Sequence, residues 1–141
     1  MLEAKKAEFK FIKFQVPSFS YNETREKESE LKLQFNPTGK YFPKEGRFEL
    51  SINFIGYEEG KKRKPIIVIS GIADFKFTNK IEFDEIPNYF YTNSIPIVYP
   101  YLRAFISTVT LQANTGVIML GVMNFTDMSK PLKENSIIVL E

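Results

Sequence analysis

Apolar and polar residues alternate along the first half of the chain, as they do in strands with one buried face. The alternation is clearest in residues 31–35 and 48–54, and an apolar run follows in residues 65–77. In residues 9–16 the alternation changes phase near Ile12 and Lys13, which indicates a β-bulge. Residues 36–39 and 58–61 have the composition of turns. The pattern predicts four antiparallel strands, the first extended by Phe19 and Tyr21 and the last two joined as a hairpin.

From residue 93 onward the period of the pattern changes to that of a helix. One apolar stripe has spacings of four, three and four residues and consists of Leu102, Ile106, Val109 and Ala113. Asn93 or Ser94 is expected to cap this helix, and Gly116 to end it. The apolar run 117–120 fits either a buried strand or an extended segment. Pro131 and its polar neighbours argue against a second long helix, and residues 137–140 could form a last edge strand. The sequence therefore predicts one α+β domain over residues 1–141.

Composition excludes several kinds of chemistry. The 141 residues include no cysteine and no histidine, which removes disulfides, thiol nucleophiles, His-dependent triads and the usual zinc ligands. A net charge of +2 is too small to predict nucleic acid as a partner. The first residues contain neither a signal peptide nor an apolar span, so we expect a cytoplasmic protein without membrane insertion.

Two charged clusters are the strongest candidates for sites that use charge. Glu82, Asp84 and Glu85 could hold a magnesium ion or act as paired carboxylates, although solvated loop residues explain them more simply. The basic run 61–64 could contact phosphates, but at a hairpin tip it is better explained as a solubilising loop. We therefore expect no metal, no cofactor and no catalytic residues.

Aromatic residues are unusually frequent, with 14 Phe and 7 Tyr. Several of them fall among Pro and Asn residues in apparent turns, namely Tyr41, Phe42, Tyr89, Phe90, Tyr91 and Tyr99. Two explanations are open: the rings fold back onto the ends of the sheet, or they form an apolar surface that binds other polypeptides.

The second half of the chain resembles the protein-export chaperone family SecB. The resemblance lies in the segment 99–103, Tyr-Pro-Tyr-Leu-Arg, in the Ile-Ser-Thr step at 106–108, in Leu120, and in Asn124 followed by Phe125. Four antiparallel strands before a long helix also agree with that family.

The resemblance implies a homodimer or homotetramer in which first strands pair and first helices pack between sheets. An apolar first strand is an exposed edge unless a partner covers it. We therefore expect the interface to contain Phe9, Phe11, Phe14, Phe105 and Leu111. The family's long second helix and polar tail, which contact the SecA motor, have no counterpart here, so contact with SecA stays open.

The first hypothesis is accordingly an ATP-independent holdase that binds unfolded polypeptides, with preproteins for export as one candidate class of client, and performs no chemistry. Its expected client contacts are Phe19, Tyr21, Tyr41, Phe42, Tyr89, Phe90 and Tyr91. The alternative is a dedicated adaptor or small-ligand binder on the same fold, such as an antitoxin-specific chaperone.

Overall fold

A computed structural model describes residues 8–26 and 29–140. Its strands are β1 (Phe9–Tyr21), β2 (Lys32–Phe42), β3 (Arg47–Tyr57), β4 (Ile67–Phe77) and β5 (Ser136–Ile138). Its helices are α1 (Asn88–Ala113) and α2 (Ser129–Glu134). The segment 1–7, from which a cytoplasmic location was expected, lies outside the described residues.

The strands form one mixed sheet in the order β1-β4-β3-β2-β5. β1 to β4 pair antiparallel as predicted, but β5 adds a fifth strand that is parallel to β2. The prediction of a four-stranded, wholly antiparallel sheet is therefore wrong in these two respects. The chain reaches β5 directly from α2, and this path lays Ser136 beside Gly39.

β1 lies at one edge of the sheet and pairs only with β4. Its pairing shifts register between Phe11 and Lys13, which confirms the bulge that the phase change predicted, and again between Gln15 and Ser18. These shifts twist the strand while its Phe side chains stay on the side of α1.

The predicted turn at 36–39 is wrong, because β2 continues through it and pairs with β3 along its whole length. The turn comes at residues 43–46 instead, where Gly46 has a φ of 65°. Gly39 is needed for close packing: a Cβ there would lie 2.3 Å from Cζ of Phe48 and 2.5 Å from Oγ of Ser136. The composition of residues 36–39 that predicted a turn thus reflects a place where side chains pack closely on a strand backbone.

α1 begins at Asn88, earlier than the predicted start at Asn93, and continues through two prolines. The stripe that faces the sheet therefore starts earlier too and contains Tyr91, Ile95, Val98, Leu102 and Ile106, all buried. Asn114 follows the helix with a φ of 62° and ends it, two residues before Gly116. α2 has only six residues, so no long second helix is present in the described part of the chain.

α1 covers one face of the sheet, and the main core lies between them. The opposite face is mostly polar, with Ile55, Val68 and Ile72 half-buried on it. There Arg47 makes ion pairs with Glu45, Glu49 and Asp74 at N to O distances of 3.0–3.2 Å. A candidate binding surface must therefore be sought on the side of the helix and at the sheet edges.

Candidate polypeptide-binding surface

The chain between α1 and α2 turns back along the helix, and side chains of α1 hold its backbone. Oγ1 of Thr110 accepts the N–H of Ile118 at 2.9 Å. Oγ of Ser107 donates to the carbonyl oxygen of Ile118 at 3.2 Å, and the hydroxyl of Tyr99 donates to that of Gly121 at 2.5 Å. Three helix side chains therefore fix residues 117–123, which we call the return segment.

The return segment presents apolar side chains to solvent. Ile118 points inward, whereas Met119 is 80% exposed and Val122 is 97% exposed. Within the described residues, the backbone groups of 119–123 form no hydrogen bond apart from that at the Gly121 carbonyl. A backbone with unpaired N–H and C=O groups beside apolar side chains offers hydrogen-bonding partners to another chain in extended conformation.

A groove of about 390 Å³ separates the return segment from the start of β2. Its other wall is formed by Arg25, Ser29, Glu30, Leu31 and Leu33. Two methionines, Met119 and Met123, line the first wall. Methionine side chains are flexible and polarizable, so such a wall adapts to apolar groups of different shape.

Hydrogen bonds hold the wall that carries Arg25. Nε and Nη2 of Arg25 donate to the carboxylate of Glu23 at 2.9 and 2.6 Å, and these bonds lower the pKa of Glu23. Nη1 of Arg25 donates to the carbonyl oxygen of Ser29 at 2.5 Å. Glu23 and Arg25 are partly buried; residues 27–28 lie outside the described residues. The charge of Arg25 is thus paired with Glu23 within this wall, whereas Glu30 and Ser29 keep part of the groove polar.

A cluster of aromatic rings supports the far end of the return segment. Phe125 lies 5.4 Å from Phe35 and 4.9 Å from Tyr99 between ring centroids. Burial raises the pKa of Tyr99, so its hydroxyl stays a neutral donor to Gly121. The rings at 99 and 125, part of the SecB resemblance, therefore fix the position of the segment.

Two of the predicted client contacts, Phe19 and Tyr21, are on β1 and do not line the groove. Phe19 is half exposed and packs edge-on against Phe105 at 5.1 Å. The hydroxyl of Tyr21 lies 2.7 Å from Oγ1 of Thr115 and 3.5 Å from the carboxylate of Glu23. Both rings thus lie where α1 ends and the return segment begins.

Three other predicted contacts are in the core, which corrects the expectation that they form a binding surface. Tyr41 and Phe90 have no exposed area, and Tyr91 is 3% exposed. The hydroxyl of Tyr41 donates to the carbonyl oxygen of Ile81 at 2.7 Å. Phe90 lies within 5.4 Å of the rings of Phe9, Phe48, Phe75 and Phe77. The early start of α1 explains this burial, because it turns the rings at 90 and 91 toward the sheet.

The remaining two predicted contacts are far from the groove. Phe42 lies at the end of β2 beneath the guanidinium of Arg47, 4.0 Å from its ring centroid. Tyr89 is partly exposed and stacks on Phe9 at the start of β1. The structure therefore does not bring the seven predicted contacts together.

The residues expected at an oligomer interface lie along β1 and the outer side of α1. Phe9, Phe11 and Phe14 are half-buried; Phe9 and Phe11 contact Phe75, while Phe14 faces Tyr101. Phe105 is also half-buried, and Leu111 is 58% exposed. The outer edge of β1 has no strand neighbour among the described residues. Oligomerisation through this edge stays a prediction.

The sequence interpretation missed the exposure of the return segment. Its apolar run was noticed, but the pattern could not separate a buried strand from an exposed extended segment. One signal in the sequence was available: the apolar run 117–120 follows the end of the helix, and no alternating segment remained to pair with it as a neighbouring strand.

Two properties of the described chain bear on other kinds of function. None of its helices is long and apolar enough to cross a bilayer. No group of three or more potential metal ligands occurs among the described residues; Glu82, Asp84 and Glu85 instead surround a 3-10 turn, where Glu85 accepts the N–H of Glu82.

The arrangement of a sheet, a long covering helix and a returning extended segment is the fold of SecB-like chaperones. A SecB-like chaperone of Mycobacterium tuberculosis, solved in complex with a ChAD peptide from the HigA1 antitoxin, superposes with a TM-score of 0.66 at 15% identity. The match covers 82% of this chain and 88% of that one. The SecB-like fold is thereby confirmed, whereas the expected four-stranded, wholly antiparallel sheet is not.

Two other proteins are similar to the chain. A Streptococcus agalactiae protein of unknown function matches with a TM-score of 0.54 and 8% identity, over 83% of this chain and 99% of that one. An uncharacterized protein of Methanocaldococcus jannaschii is 26% identical over 120 residues, which cover 82% of this chain and 77% of the relative. No protein-family model matches the sequence.

Proposed function

We propose that this protein is a chaperone that binds unfolded polypeptide segments in the groove between the return segment and β2. It acts as a holdase: it needs no nucleotide, catalyses no reaction, and prevents bound segments from associating. Apolar contacts repeated over several sites supply affinity by effective concentration.

The exposed, unpaired return segment is the observation that carries this proposal. Met119 and Val122 present apolar area that the chain itself does not cover, and exposed apolar surface of this kind marks interaction sites. The SecB-like fold supports the same conclusion, since a neighbour with this fold holds a peptide.

A refolding assay tests the proposal. A slowly refolding protein is diluted from denaturant with increasing amounts of the chaperone, and both refolding yield and light scattering are followed. We expect aggregation to fall and refolding to slow near equimolar amounts. Unchanged kinetics and unchanged aggregation at a large excess would refute the holdase function.

A homodimer or homotetramer in the cytoplasm is part of the proposal, with β1 edges pairing between copies. The open edge of β1 and the exposed Leu111 support it. Light scattering at micromolar concentration measures the mass directly, and a monodisperse monomer would contradict it. Preproteins for export are among the expected clients, and co-sedimentation with the SecA motor tests that branch.

Binding of one dedicated partner protein is the second candidate function. The antitoxin peptide in the M. tuberculosis neighbour favours it, as does the short α2, which leaves less surface than the family's long second helix. Capture of one defined partner, together with no effect on generic unfolded clients, would select this candidate over the general holdase.

A further inference from the structure

A second cavity, of about 700 Å³, lies between the first turn of α1 and the short helix α2. This cavity is separate from the groove, because no residue lines both of them. Its volume is within the range of sites that bind small molecules. Among its wall residues, Asn88 and Tyr91 come from α1, and Lys130, Lys133 and Glu134 come from α2.

Positive charge accumulates at this cavity. α1 has 26 residues, its N-cap is Pro87 without a side-chain hydrogen bond, and its first turn contains no acidic residue. The positive end of the helix dipole is therefore not offset by its own side chains. Nζ of Lys133 donates to Oδ1 of Asn88 at 3.0 Å, which adds an ammonium group at the same end.

The wall contains little negative charge to balance this end. Glu134 is its one acidic residue, and its carboxylate pairs with Lys130 at 3.9 Å. Lys133 has no acidic partner among the described residues. A cation beside the positive end of a helix is unfavourable by itself and becomes favourable when an anion lies between them.

Tyr91 supplies an independent indication of a ligand. The residue is only 3% exposed, yet it forms part of the cavity wall. Its hydroxyl has no hydrogen-bond partner within the described residues, although its ring lies 5.9 Å from Nζ of Lys133. Burial raises the pKa of Tyr91 to about 12, so at neutral pH the group is a neutral donor. Among the described residues the fully enclosed side-chain atom without a partner is Oγ of Ser94 and not the Tyr91 hydroxyl. The Tyr91 hydroxyl therefore reaches the cavity, where it can donate to a ligand.

We propose that the cavity binds a small anion with a carboxylate or phosphate group. Lys133 pairs with its charge, the hydroxyl of Tyr91 donates to one of its oxygens, and the end of α1 favours its negative charge. This site is independent of the polypeptide groove, so it can exist whether or not the chain is a chaperone.

Titration followed by NMR tests the proposal, with inorganic phosphate and acetate as separate probes and chloride keeping the ionic strength constant. We expect saturable shifts of the backbone amides in 88–92 and 129–134 with one probe or both, and the probe that binds identifies the anion class. Lys133→Gln and Tyr91→Phe should each weaken binding about tenfold. Lys62→Gln, at the distant hairpin tip, serves as the matched charge control and should leave binding unchanged.

Both variants are expected to fold, so a loss of anion binding can be assigned to the altered side chain. Tyr91→Phe retains the buried ring, and Lys133→Gln changes an exposed side chain, so circular dichroism should show that both fold. Shifts that do not saturate with either probe, or equal affinities in wild type and both variants, would overturn the proposal. Equal weakening by Lys62→Gln would overturn it too, because general charge screening would then explain the shifts.

Discussion

Replacing the two most exposed apolar side chains of the return segment should weaken client binding without weakening the fold. The double variant Met119→Gln and Val122→Thr keeps side-chain size nearly constant while it removes apolar area. Since Met119 is 80% and Val122 97% exposed, folding buries little of either side chain. The free energy of unfolding should therefore change by no more than about 0.5 kcal/mol.

The expected loss of affinity follows from the area that a client would cover. Full burial of a Met or Val side chain contributes about 1.5–3 kcal/mol. Met119 lines the groove, and Val122 lies between the wall residues Gly121 and Met123 without lining it. If a bound segment also extends over the outer side of the return segment and covers half of each side chain, the pair contributes about 2 kcal/mol, and its loss weakens binding roughly 30-fold.

Fluorescence anisotropy of a labelled, permanently unfolded polypeptide measures this affinity, and thermal unfolding measures stability in parallel. Leu140→Gln is the matched control: Leu140 is 79% exposed but follows β5, which pairs with the far end of β2. The control should bind as the wild type does. If the double variant binds within twofold of the wild type, or if Leu140→Gln loses as much, the return segment is not the client site.

Three further predictions concern the parts that hold the groove. Tyr99→Phe removes the hydrogen bond to the carbonyl of Gly121; it should cost about 1 kcal/mol of stability and speed amide hydrogen exchange in 117–123, whereas unchanged exchange would show that this bond does not fix the segment. Gly39→Ala should destabilise the protein by about 1–3 kcal/mol in chemical unfolding, because its Cβ would meet the ring of Phe48. Gly121→Ala, with nothing within 4 Å of its Cβ, is the control and should change little; equal losses would contradict the packing argument. Because hydrogen bonds from its arginine partner lower the pKa of Glu23 below 4.5, that stabilisation is complete above pH 4.5 and is lost as the pH falls through the folded-state pKa. Glu23→Gln should therefore show a smaller fall in stability below pH 4.5, and identical profiles would refute the role of this pair.

The local pattern of apolar and polar residues was sufficient to locate strands and helices that pack against other strands and helices. Alternation located β1, β3 and the first part of β2, and the phase change near Ile12 located the bulge, because the two faces of a strand differ in polarity. An apolar run located β4. The stripe through Leu102 and Ile106 located α1. Residues 99–103 and 124–125 carried the resemblance that the fold comparison supports.

The pattern gave wrong predictions for residues whose environment is set by parts of the chain that are distant in sequence. Gly39 was interpreted as a turn residue, but only the ring of Phe48, which packs against it from the neighbouring strand, shows that its small size is what matters. Tyr41 was expected to be exposed because the turn predicted at 36–39 hid its place on β2. Phe90 was expected to be exposed because the early start of α1 could not be read from a Pro- and Asn-rich segment.

What the sequence determined by itself is the order of strands and helix, since each element's period reflects its own burial on one face. What only the tertiary structure decided is which apolar residues remain uncovered. Met119 and Ile118 are neighbours of similar hydrophobicity, yet Thr110 and Ser107 fix the backbone so that one is buried and the other faces solvent. Exposure depends on what packs against a side chain, and that is a property of the whole fold.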